Sequence, residues 1–110
     1  MVARVEIEPL RSIAFGGISA AYASVGTTFA HEIRMMRIIN NTDGDMIFTD
    51  DITVSAGKLF VPANTFVLWD FQANMNARKD DSYVKAIATQ ISVKQSTAAS
   101  TGDIFLECIY

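Results

Sequence analysis

Asp43, Asp45, Asp50 and Asp51 crowd around Gly44 in the stretch RIINNTDGDMIFTDD, residues 37–51. Carboxylates at that density are the raw material of a cation site. A calcium loop of the helix-loop-helix type needs oxygen ligands at its first, third and fifth positions, Gly at the sixth and a bidentate carboxylate, normally Glu, at the twelfth. With Gly44 as the sixth, Asp43 and Asn41 fill the fifth and third, but Ile39 falls at the first and cannot ligate. The twelfth is Asp50, and the flanks carry no helical period. A turn fits better. Asp43 and Gly44 lie between Ile38-Ile39 and Met46-Ile47-Phe48. Asp-Gly between apolar runs signals a hairpin, because Gly accepts the positive φ that a tight turn demands. Cation binding by Asp43 and Asp45 stays open at this point.

The remaining chemistry is sparse. The one histidine, His31, and the one cysteine, Cys108, make no four-ligand zinc site. Cys108 shares a strand face with Ile104, Leu106 and Tyr110, the setting of a packed thiol and not of a nucleophile. Phe15-Gly16-Gly17-Ile18 fits no phosphate-cradling glycine spacing. Asp50-Asp51 and Asp80-Asp81 are adjacent, so on a strand their side chains point to opposite faces and do not converge on a substrate. The expectation is a protein that is not an enzyme and has no metal and no cofactor.

The elements that position these residues follow a period of two. Ala3, Val5 and Ile7 alternate with Arg4, Glu6 and Glu8, which predicts a half-buried strand ended by Pro9. Residues 10–30 are ambiguous between helix and strand. Strands are expected over 33–40, 46–49, 52–54, 59–61, 65–71, 83–88, 90–95 and 103–110, with a short helix or loop around 72–82. Short strands about 8–12 residues apart, with turn signals between them, predict an all-β fold, an antiparallel β-sandwich of jelly-roll type. With 110 residues, no repeat and no linker, a single domain over 1–110 is expected.

Half the residues are apolar and only 19% are charged, which excludes a disordered chain. A net charge of −3 argues against a sequence-independent grip on nucleic acid. No apolar run reaches the ~18 residues of a membrane span, and the glutamates near the start break the apolar core that a secretion signal needs. Synthesis in the cytoplasm without export by that route is the expectation.

The positive sign is apolar surplus. Phe66 and Leu68 point one way, and Val67, Trp69 and Phe71 the other. Phe105 and Ile109 oppose Leu106 and Cys108. A sandwich needs only one buried face per sheet. A strand apolar on both faces therefore implies a cover for the outer one, either a partner or the chain's own 10–30 segment.

Four segments carry a resemblance: SIAFGGISAAY (12–22), RIINNTDGDMIFT (37–49), VPANTFVLWDF (61–71) and the closing ISVKQS with GDIFLECIY (91–110). They resemble small virion structural proteins of tailed bacteriophages over most of the chain. The resemblance implies a compact sandwich or jelly roll that decorates or cements the capsid, or that sits in the neck or tail. It supplies a pattern and no numbered binding site.

The leading expectation is a non-enzymatic capsid decoration or cement protein. Its partner would be the major capsid protein or another virion protein. It would be a homo-oligomer within the virion, made in the host bacterial cytoplasm, with no direct nucleic acid or membrane contact. Candidate anchors are Arg34, Arg37, Trp69, Phe71 and Tyr110, because Arg, Trp and Tyr dominate interface hot spots. Residues 1–10 would form an extended arm or an edge strand. The alternatives are a neck or tail component, and a carbohydrate-binding sandwich using Trp69 with Tyr83.

Overall fold

The computed structural model describes residues 5–54, 56–71 and 85–110. The described strands are β1 (Arg11–Ala14), β2 (Ala23–Ser24), β3 (Met35–Thr42), β4 (Met46–Thr49), β5 (Leu59–Val61), β6 (Thr65–Asp70), β7 (Ser92–Gln95) and β8 (Gly102–Ile109). A 3-10 turn, Phe15–Gly17, follows β1. They form two four-stranded antiparallel sheets, ordered β1-β8-β3-β6 and β2-β7-β4-β5.

The order has a simple logic. β1 pairs with β8, β2 with β7, β3 with β6 and β4 with β5. The chain is thus one ribbon doubled back on itself, with its tip between β4 and β5. Winding the ribbon brings β3 against β8 and β4 against β7. The result is an all-β sandwich with jelly-roll winding. Alternation in β3 and β8 fills the first sheet's side of the interior. Met36, Ile38, Ile104, Leu106 and Cys108 of the first sheet meet Met46, Phe48, Val61 and Val93 of the second. Val25, Phe29, Ile33 and Ile91, on the connections, close the ends.

Four local expectations are corrected. The Asp43-Gly44 segment is not a hairpin, because β3 and β4 lie in different sheets. It is a corner, held from inside by Asn40, whose side chain is fully buried. Asn40 Nδ2 donates to Gly44 O (2.9 Å), Val61 O (3.0 Å) and Pro62 O (3.2 Å). Asn40 Oδ1 accepts from the Thr42 amide and hydroxyl at 3.1 and 2.6 Å. Positive φ is not what the corner asks of Gly44. A Cβ there would lie 2.5 Å from Thr97 O, so the glycine is required by close approach of the β7–β8 loop.

The second correction concerns Val5 and Ile7, expected to face inward. They are exposed, while Glu8 is buried. Ile7 pairs with Ile109 and Arg11 with Leu106, so four residues here match three on β8. The extra residue falls around Pro9 and sets the inward face to Glu8 and Arg11. Third, Ile52–Val54 is a turn, not a strand, and both residues are exposed. Fourth, only Lys85 of the 83–88 strand lies in a ladder, as a single bridge to Ile33; residues 83 and 84 lie outside the described residues.

Segment 10–30 resolves into β1, the 3-10 turn and β2, with no helix of α type. The expected helix or loop at 72–82 and Tyr83 lie outside the described residues. Among the described residues no helix is long and apolar enough to cross a membrane.

Candidate functional site

The outer face of the β1-β8-β3-β6 sheet is set by register. Antiparallel pairing places directly opposed residues on the same face. One row reads Ile7, Ile109, Met35 and Asp70 across the sheet. The next reads Glu107, Arg37 and Leu68. The third reads Ser12, Phe105, Ile39 and Phe66. Ile7 is 75% exposed, Phe66 60% and Leu68 52%. Leu10, also exposed, lines a groove with Ile7, Glu107 and Ile109.

Among the described residues nothing covers this face. Its area is on the order of 600 Å², given a fully exposed large apolar side chain of roughly 200 Å². That is the upper end for a monomer's largest apolar patch. One ion pair sits in the middle. Arg37 Nε donates to Glu107 Oε1 at 2.5 Å, and the guanidinium lies 5.5 Å from the Phe66 ring centre. The pair cancels its own charge, so the centre of the face is apolar and carries no net charge, while Asp70 and Asp103 lie at its margins.

The aspartates around Gly44 have structural tasks. Asp43 accepts from the Ser100 hydroxyl and the Ser100 and Thr101 amides, and these bonds hold its carboxyl below the usual carboxylate range. Asp45 Oδ1 accepts from the Ala63 amide at 2.9 Å, and its carbonyl accepts from Ser96 and Thr97. The two aspartates thus fasten the β3–β4 corner to the β5–β6 and β7–β8 connections. Among the described residues no three His, Cys, Asp or Glu side chains gather as a metal would require.

At the other end Asp50 bridges Lys58, at 2.8 Å, and Lys85. Hydrogen bonds from Lys58 and Lys85 pull its pKa down to about 2. The Cys108 thiol is fully buried, and burial pushes its pKa up to about 11, far from nucleophilic use.

Sequence reasoning missed one polar cluster entirely. Glu8 is buried beside Arg11, with Arg11 Nη2 donating to Glu8 Oε1 at 2.7 Å. His31 Nδ1 lies 2.9 Å from Glu8 Oε2. Arg11 also donates to Thr27 O and Thr28 O and lies over Phe29. Gly26, at φ +67°, leaves room for the Arg11 stem, since a Cβ there would sit 2.7 Å from Arg11 Cγ. The only legible sign was the Glu8–Arg11 spacing beside a proline.

The five anchor candidates scatter. Arg37 lies in the centre of the outer face. Trp69 lies opposite Met36, on the inner face, and is 36% exposed at the open end of the sandwich. It lines a cavity of about 100 Å³ with Met36, Phe48, Leu59 and Ile91. Phe71 packs on the core beside it, ring centres 6.0 Å apart. Tyr110 is stacked on His31 and donates to Glu6 Oε2 at 2.8 Å. Arg34 is half-buried and pairs through its backbone with Ile109 O and the Phe71 amide. Only Arg37 belongs to the patch. Phe66, Leu68, Ile7 and Ile109 are its larger members. The two-faced pattern of residues 65–71 and 103–110 is the sequence signal for the patch, whereas hot-spot residue type alone selects Trp69 and Tyr110, which lie off it.

A scan of protein-family models and searches of curated proteins and of solved structures find no match to this chain.

Proposed function

We propose that this chain is a non-enzymatic structural subunit of a bacteriophage virion, a capsid decoration protein that docks its outer β1-β8-β3-β6 face on the major capsid protein. The observation that carries the reading is the exposed apolar outer face centred on the Arg37–Glu107 pair. Burying such a face on many copies adds area between neighbouring shell subunits, and area removed from water is what resists the pressure of packaged DNA. The resemblance of the four segments to small phage virion proteins is the reason for choosing this partner. Among the described residues Asp43, Asp45 and Asp50 fasten connections, and Glu8 and Cys108 are buried in the packed interior, which supports a structural part.

The carbohydrate-binding reading would use Trp69 with Tyr83, which lies outside the described residues. Trp69 faces a cavity of about 100 Å³, below the ~300 Å³ at which ligand sites begin. The neck or tail reading uses the same face with a different partner, and stoichiometry separates the two. Quantitative mass spectrometry of purified virions is the test. Hundreds of copies in simple ratio to the major capsid protein are expected. A ring-like number, about six to twelve, moves the protein to the neck or tail, and absence from particles overturns the virion reading.

A further inference from the structure

We propose that β6 is a self-pairing edge: two copies of this chain join antiparallel through Thr65–Asp70, centred on Val67, into one continuous sheet. Sheets with open edges invite strand addition, and natural edges are blunted by shortness, proline, lysine or an inward-pointing charge. Three of the four edges described here carry such a device. β2 has two residues, and β5 has three and runs into Pro62. β1 follows Pro9 and turns the charged Arg11 inward. β6 has six residues, TFVLWD, with no lysine, no arginine, no proline, and a single charge, Asp70, at its end. Among the described residues it has a neighbour on one side only.

The partner follows from which backbone groups reach the edge. The Phe71 amide donates to Arg34 O on the β3 side. Alternation then turns Trp69, Val67 and Thr65 toward β3, and turns the N–H and C=O of Phe66 and Leu68 outward. Antiparallel pairing of this edge with itself can join only even-numbered residues to even-numbered ones. Two registers overlap most of the strand. Centring on Leu68 sets Phe66 opposite Asp70 of the second copy, an apolar side chain against a charge. Centring on Val67 sets Phe66 opposite Leu68 twice, on the outer face, and Asp70 opposite the neutral Asn64. The strand is self-complementary in that one register, which needs no second kind of protein. A chain of net charge −3 can meet its own copy there because the two Asp70 side chains lie at opposite ends of the junction. The two apolar outer faces become one, doubling the docking surface proposed above. The inference goes beyond the virion reading and does not depend on it.

Recombinant full-length chain tests it. Light scattering after size exclusion should read twice the 12.0 kDa of the single chain. Val67 faces its own copy in a non-hydrogen-bonded pair, with Cα atoms about 4.5 Å apart, within disulfide reach. Val67→Cys should therefore cross-link to a dimer under a mild oxidant. Leu68→Cys should not, because diagonal neighbours lie about 7–8 Å apart. The native Cys108 is buried and does not compete. Leu68→Pro removes an edge N–H and leaves the β3 ladder intact, so it should give a folded monomer; Phe66→Lys replaces it if that variant unfolds. A wild-type chain at monomer mass, or Leu68→Cys cross-linking as well as Val67→Cys, overturns the proposal, and the copy-number experiment on virions stands unaffected.

Discussion

The Tyr110 ring lies flat on the His31 ring, with centroids 3.6 Å apart and planes within 2°. His31 and Arg11 both contact the Glu8 carboxyl, while Tyr110 and Glu6 exchange both backbone hydrogen bonds. The segment before β1 is thereby clasped to the end of β8.

Glu8 is the keystone of that clasp. Glu8→Gln leaves the Arg11 guanidinium buried without its counter-charge, which costs about 3 kcal/mol. Urea unfolding followed by circular dichroism should show the midpoint falling with the slope unchanged. Burial raises the Glu8 pKa, but hydrogen bonds from Arg11 and His31 and the Arg11 charge outweigh it, so the net shift is downward. A carboxyl lowered by folding adds stability that is complete above its unfolded pKa and is lost as pH falls through the folded one. Wild-type stability should therefore drop on acidification below the ordinary carboxylate range, and Glu8→Gln should flatten that drop.

Asp50 gives a second, separable acid step. Its pKa falls from 3.8 to about 2, and its contribution is present above pH 3.8 and disappears as pH falls through about 2. The shift corresponds to at most about 2 kcal/mol. A carboxyl-detected NMR titration should place the Asp50 midpoint near pH 2, and Asp50→Asn should remove its share of the acid sensitivity without altering that of Glu8.

Asn40 holds the corner by donation, so charge and not size is what the site rejects. Asn40→Asp is isosteric, yet it sets a carboxylate against the carbonyls of Gly44, Val61 and Pro62. A destabilisation of roughly 3 kcal/mol or more is expected in chemical denaturation, larger than for Asn40→Ala.

Gly44→Ala and Gly16→Ala form a matched pair. The first puts a Cβ 2.5 Å from Thr97 O and 3.0 Å from the Ala99 nitrogen, both backbone; the second meets nothing within 4 Å. Gly44→Ala should cost about 1–3 kcal/mol and raise amide exchange over residues 96–101, while Gly16→Ala stays within about 0.5 kcal/mol.

Trp69 and Phe66 separate core from surface on one strand. Trp69→Ala removes inner-face packing beside Met36 and Phe48 and should cost about 3 kcal/mol. Phe66→Ser lies on the exposed outer face and should leave thermal stability of the monomer nearly unchanged while lowering apolar dye binding.

Much of the sandwich is legible, because the short strands and the turns between them read from sequence and the inward set of β8, Ile104, Leu106 and Cys108, alternates cleanly; β3, MMRIINNT, alternates in burial but not in residue type, so its inward face does not read from sequence. The period does not carry which strand pairs with which. Asp43-Gly44 reads as a hairpin locally, and only the buried Asn40 amide, reaching Val61 and Pro62 twenty-odd residues away, turns it into a corner. Val5 and Ile7 read as inward until the extra residue at Pro9 shifts the register. The outer face was half legible: residues 65–71 announced two apolar faces, but only the Met36–Trp69 pairing says which one is inside.

The nested pairing also sets an order of events in time. The β4–β5 ladder closes across a short loop, whereas Arg11 meets Leu106 only after nearly the whole described chain has been synthesised. Contacts so distant in sequence make folding slow, because the chain must lose its freedom before it gains them. β1 waits longest, since it is made first and its one described neighbour, β8, leaves the ribosome last of the eight strands. Until then the nascent chain carries the β3 edge that β8 will fill unpaired, and that interval is when this protein is most open to aggregation.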